Sequence, residues 1–127
     1  MAQAERPLSP HLQVYRLPLT ALASITHRIT GIGLGFGTIL LAWWLVAAAG
    51  GPDAYAHFQW FAGSIVGLVL LFGFTWALMF HLLNGLRHLF WDAGWGFDIK
   101  VSHQASVFVV AGSVLLTVIV WAAAFIL

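Results

Sequence analysis

The sequence predicts an all-α membrane protein of three transmembrane helices, with the N-terminus inside and an interfacial N-terminal segment. Three observations carry this. Of 127 residues, 61% are hydrophobic and only 7% charged, against roughly 45–50% and about 25% in soluble domains, which excludes a water-soluble globular domain. The formal charges leave uncharged stretches at 29–52, 54–86 and 101–127, each longer than the ~20 apolar residues that cross a bilayer as helix. Basic residues also gather on one side: Arg6, Arg16 and Arg28 precede the first stretch and Arg87 and Lys100 border the second loop, whereas the first loop and the C-terminus have none. That bias puts the N-terminus and the 87–100 loop on the cytoplasmic or matrix side.

Taken in order, residues 1–19 form a lead-in, in which Leu12, Val14, Tyr15, Leu17 and Leu19 mix with His11, Gln13 and Arg16. Pro18 prevents a continuous helix through it. Met1 to Pro10 has neither the apolar core of a signal peptide nor the composition of a transit peptide, so the chain reads as mature. The first helix covers about 20–49 and ends at Gly50-Gly51-Pro52-Asp53, where two glycines close one helix and Pro52 opens the next. The second covers about 54–92, to the break at Ala93-Gly94-Trp95-Gly96-Phe97-Asp98, and the third about 101–127. Trp43, Trp44, Trp60 and Trp121 fall near the outer ends and Trp91 and Trp95 near the inner one, as interfacial indoles do. Gly31/Gly35, Gly33/Gly37 and Gly63/Gly67 are small-xxx-small pairs, for which close helix contact is the ordinary explanation. The pieces outside the three stretches are each below the ~40 residues at which a domain usually folds unaided. The whole of 1–127 is therefore one membrane-anchor domain without a soluble catalytic part.

A net charge of +1 offers no basic face for nucleic acid, and the absence of cysteine excludes disulfides, thiolate nucleophiles and iron–sulfur ligation. Any redox chemistry must come from a bound cofactor. Ionisable residues inside a membrane helix are costly and ask for partners, and here they concentrate in two places. His81, Asn84, Gly85, His88 and Asp92 form a stripe on the second helix, and Ser24, His27, Arg28 and Gly31 lie at the inner end of the first.

His81 lies six residues before Arg87, about 9 Å deeper along the helix, so its imidazole should be neutral and in need of a partner. A hydrogen bond to a neighbouring helix and a metal are comparable readings of a lone membrane histidine. Gly85 and Ala77, one turn either side, leave room for a flat macrocycle. His81 and His88 share one helix face, about 10.5 Å apart along it, and cannot sandwich one iron, so a second axial ligand is simplest from another subunit. His27, Arg28 and His88 would then meet haem propionates, although snorkelling to lipid headgroups is the ordinary role of such residues. Ser24 and Arg28 set a hydroxyl and a guanidinium on one face, suited to a quinone carbonyl, although serine at a helix start more often bonds backbone.

Three blocks in order, Arg6-Pro7-Leu8-Ser9-Pro10-His11-Leu12, Ser24-Ile25-Thr26-His27-Arg28-Ile29-Thr30-Gly31 and His81-Leu82-Leu83-Asn84-Gly85-Leu86-Arg87-His88-Leu89-Phe90-Trp91-Asp92, resemble the cytochrome b subunit of succinate dehydrogenase (respiratory complex II). The resemblance extends over nearly the whole chain. It implies a membrane anchor that, with a second hydrophobic anchor subunit, docks the iron–sulfur and flavoprotein subunits, where electrons from succinate reach ubiquinone. It implies His81 as the axial ligand of haem b, shared with a histidine of the partner anchor, Ser24 and Arg28 at the quinone site, and His27, Arg28 and His88 around the haem propionates. The opening block resembles versions from mitochondria and related bacteria, and the lack of a transit-peptide composition favours a bacterial inner membrane over a mitochondrial one. Two other readings compete: a haem-free anchor with a quinone pocket, and a small proton or ion carrier using His81, His88 and Asp92.

Overall fold

A computed structural model describes residues 14–126. Four helices follow in order: α1 (Leu19–Ala49), α2 (Pro52–Ala62), α3 (Ile65–Asp92) and α4 (Ile99–Ile126). Of these, α1, α3 and α4 are each long and apolar enough to cross a membrane, which makes the three expected spans. The opening block Arg6 to Leu12, with His11 and most of the lead-in, lies outside the described residues. The part of the lead-in that is described, 14–18, is exposed and non-helical. Pro18, in extended conformation, begins α1 by accepting the N–H groups of Ala21 and Leu22 at its carbonyl.

The tight outer hairpin forms as the composition dictates: Gly51 takes a φ of 94°, open to glycine, and Pro52 stands in the first turn of α2. Beyond it the structure departs from the single helix expected over 54–92. The chain breaks at Gly63-Ser64, where the Ser64 hydroxyl donates to the Phe61 carbonyl (2.6 Å) and accepts the Gly67 N–H (3.0 Å), capping a fresh helix. Gly67 fits because a Cβ there would collide with the Phe61 carbonyl oxygen. The Gly63/Gly67 pair is thus the hinge of a helix break and not a packing face. At the inner turn Gly94 and Gly96 take φ of 89° and 84°. The Asp98 carboxylate accepts the N–H groups of Lys100 and Val101, so α4 begins at Ile99, slightly before the expected 101.

Apolar side chains cover the outside, and among the described residues the buried set is small and largely polar: Thr30, Asn84, Arg87, Ser106, Ser113 and Thr117, beside the hydrophobics Ala23, Ala47, Phe58, Phe80 and Val109. In lipid nothing drives apolar side chains inward, and close backbone approach at small residues takes over. Ser106, Val109, Ser113 and Thr117 line one face of α4, with the hydroxyls donating to carbonyls of their own helix. The centre, Ala23, Phe80 and Val109, joins α1, α3 and α4 at the level of the polar cluster.

Candidate functional site

α1 and α3 cross where the sequence carries its polar residues, and Gly31 sets the distance. A Cβ on Gly31 would come within 3.0 Å of the His81 Cε1, so the absent side chain is what admits the imidazole against α1. His81 Nδ1 lies 3.1 Å from the carbonyl oxygen of His27 and 3.3 Å from the Thr30 hydroxyl oxygen. The Thr30 hydroxyl donates to the carbonyls of Thr26 (2.9 Å) and His27 (3.0 Å), leaving its oxygen to accept. A carbonyl can only accept, so Nδ1 is the donor in that contact, and Nε2 makes no hydrogen bond to a described residue. An imidazole fixed through Nδ1–H to a backbone carbonyl is in the tautomer and orientation of a metal-binding histidine.

The His27 ring stacks on His81 with centroids 3.9 Å apart and planes 12° from parallel, and it stands 5.2 Å from His88. His88 in turn meets the edge of Trp91 at 5.1 Å. The structure therefore brings His27, His81 and His88 together, as the sequence stripe predicts for the last two. The Nδ1 of His27 is buried without a partner among the described residues, an unmet polar atom within the cluster. A Cβ added at Gly85 would meet nothing within 4 Å, so the flank of α3 next to His81 is open. Among the described residues no three His, Asp or Glu side chains converge on a bare ion. An Nε2 with no hydrogen bond to a described residue, an open glycine flank and an imidazole nitrogen without a described partner fit a planar group that carries its own metal, which His81 would hold. Asp92, at the end of the stripe, is exposed and stands outside the cluster.

Ser24 is half-buried and Arg28 exposed, on the turn below His27. Neither side chain is hydrogen-bonded to another described residue, so both are available to a ligand at the bundle edge. The glycine-rich stretch of α1 is used unevenly: Gly31 and Gly37 lie against His81 and Phe74, while Gly33 and Gly35 face open space.

Arg87 is a second site that the sequence reading treated only as a topology marker. It is 5% exposed; its Nη1 donates to Asn84 Oδ1 (3.2 Å), its Nη2 donates to the Ser102 hydroxyl of α4 (3.0 Å), and its guanidinium lies 4.0 Å over the Trp91 ring. Asn84 is wholly buried and turns toward Arg87 rather than His81, so the polar stripe serves both faces of α3. The signal was present in the sequence as Asn84, Arg87 and Trp91 at helical spacing, with Thr30 one turn beyond His27, but which neighbouring helix each would face was not.

Three membrane-spanning helices with a histidine cluster towards one end of the bundle define a multi-pass integral membrane protein. The family described as succinate dehydrogenase/fumarate reductase transmembrane subunit matches residues 2–120, and the chain belongs to it. Among relatives, the succinate dehydrogenase cytochrome b556 subunit of Paracoccus denitrificans is 54% identical over 92% of this chain and 90% of its own. The b556 subunit of Rickettsia felis is 40% identical over 92% and 91%. The mitochondrial b560 subunit of Bos taurus is 37% identical over 89% of this chain and 68% of its own. The chain is thus a multi-pass inner-membrane subunit of bacterial type within an oxidoreductase complex.

Proposed function

We propose that the chain is the cytochrome b anchor of a succinate:ubiquinone oxidoreductase, in which His81 supplies one axial ligand to a haem b shared with a second hydrophobic anchor subunit. The observation that carries this reading is the His81 ring, tied through Nδ1 to the His27 carbonyl with Nε2 unused. When bound, haem supplies one-electron redox chemistry at the iron. The chain's own part is to orient the imidazole: Thr30 and the His27 carbonyl accept from Nδ1–H, and Gly31 lets the ring approach α1. His27, Arg28 and His88 are proposed to meet the propionates, whose charge a guanidinium and imidazole N–H groups suit. The unpartnered His27 Nδ1 supports that role for His27.

Ser24 and Arg28 are proposed to donate to a carbonyl oxygen of ubiquinone. A two-electron reduction places negative charge on the quinone oxygens before two protons arrive, and a fixed guanidinium stabilises it most at that point. The electrons come from succinate through the flavoprotein and iron–sulfur subunits, which dock on the side bearing the N-terminus and the α3–α4 turn, taken as cytoplasmic from its basic residues. The haem-free anchor remains the second reading, favoured by the close stack of His27 on His81. Reduced-minus-oxidised spectra of the purified complex separate the two: a haem b band lost in His81→Ala is the result expected, and a wild-type complex with no such band would rule the cytochrome reading out. In the same preparations Arg28→Leu should lower succinate–quinone reduction at least tenfold while succinate-to-dye activity persists. Equal quinone activity would remove Arg28 from the site.

A further inference from the structure

On a different face of α3 from His81, a cavity of about 420 Å³ opens between the last turns of α3, the inner turn and the first turns of α4. Its walls are apolar, with Leu83, Phe90, Trp95 and Phe108 among them, and among the described residues the one charged group that lines it is Arg87. None of Ser24, His27, Arg28, His81 or His88 borders it, so it is separate from the histidine cluster. A guanidinium does not lose its proton in a protein, and a cation buried at membrane depth needs compensation. Among the described residues the partners of Arg87 are all neutral: the side-chain amide oxygen of Asn84, the Ser102 hydroxyl and the Trp91 ring. Its Nε is buried with no acceptor among the described residues. Dipoles and a ring face share the charge without cancelling it, and an anion is what the site lacks.

The place of the cavity says where that anion comes from. Arg87 is five residues from the end of α3 at Asp92, about 7.5 Å along the axis, within reach of the headgroup layer, and Trp91 and Trp95 flank it as interfacial indoles do. Phe90, Trp95 and Phe108 are each more than half exposed, so the apolar end of the cavity opens onto the lipid-facing surface. Its volume lies in the range of small-molecule sites. We infer that this cavity binds one anionic phospholipid of the surrounding membrane, its phosphate on the Arg87 guanidinium and an acyl chain along Leu83, Phe108 and Val109. A quinone carbonyl would satisfy a donor but leave the charge uncompensated, which selects the anion.

The test is native mass spectrometry of the intact complex, stripped of loosely held lipid and then titrated with phosphatidylglycerol or phosphatidylcholine. The wild type should retain one phosphatidylglycerol that phosphatidylcholine does not replace. Arg87→Gln should weaken retention about tenfold or more, as loss of a charged hydrogen bond implies, and Arg87→Lys should weaken it less. Ala105→Phe, which fills the cavity wall and leaves the cation in place, should abolish retention as well, and it carries the test if Arg87→Gln does not assemble. Retention unchanged in Ala105→Phe, equal retention of the two lipids, or a quinone or partner side chain found against Arg87 would each overturn the inference.

Discussion

At the scale of single residues the account turns on small differences in space around one imidazole. A side chain on Gly31 meets His81, while one on Gly35 meets nothing, although the two glycines stand one turn apart and read alike as a small-xxx-small pair. Gly31→Val should displace the His81 ring at an overpacking cost of about 1–3 kcal/mol, a loss in cofactor retention of roughly fivefold to 150-fold. Gly35→Ala should leave haem content unchanged, both read as absorbance per complex. The reverse order would mean that His81 is not the group whose position matters. What was legible here was the identity of the cluster: His27, His81 and His88 are marked in the sequence by being ionisable where ionisation is costly. What was not legible was orientation. Helical spacing places Asn84 beside His81 and cannot say that it turns toward Arg87 and α4.

At the scale of elements the instructive case is the second apolar stretch, an unbroken uncharged run read as one helix over 54–92. The break at Gly63-Ser64 falls inside it because length and hydropathy set how much helix fits a membrane, whereas a break depends on whether local hydrogen bonds replace those lost. Ser64 supplies them and Gly67 leaves the room. The serine–glycine pair was the only clue, and in an apolar run it competes with the reading of small residues as a contact face. Ser64→Ala should cost about 1 kcal/mol, the worth of an N-cap, and Gly67→Ala more, because the Cβ collides with rigid backbone at Phe61. Thermal unfolding of the complex in detergent would show both as lowered Tm with unchanged haem content at low temperature. If Gly67→Ala were neutral, the break would be absent in the assembled protein. By contrast the first hairpin was fully legible, since glycine at positive φ followed by proline admits few alternatives.

At the scale of the whole molecule, the chain inverts the soluble pattern, with serine, threonine, asparagine and arginine inside and large apolar residues outside. Composition alone established this, because 7% charge cannot cover a water-facing surface. On the proposed function, His81 would hold the haem from one side only and the second anchor subunit would supply the other ligand. The cofactor site would then be a property of the assembly, complete only with a partner. The most direct measurement is an experimental density map of the intact complex at the His81 ring. The result expected is a haem held at the His81 Nε2, with Nδ1 still on the His27 carbonyl. Lipid or side chains alone against Nε2 would contradict it and leave a protein that tethers its partners without carrying electrons.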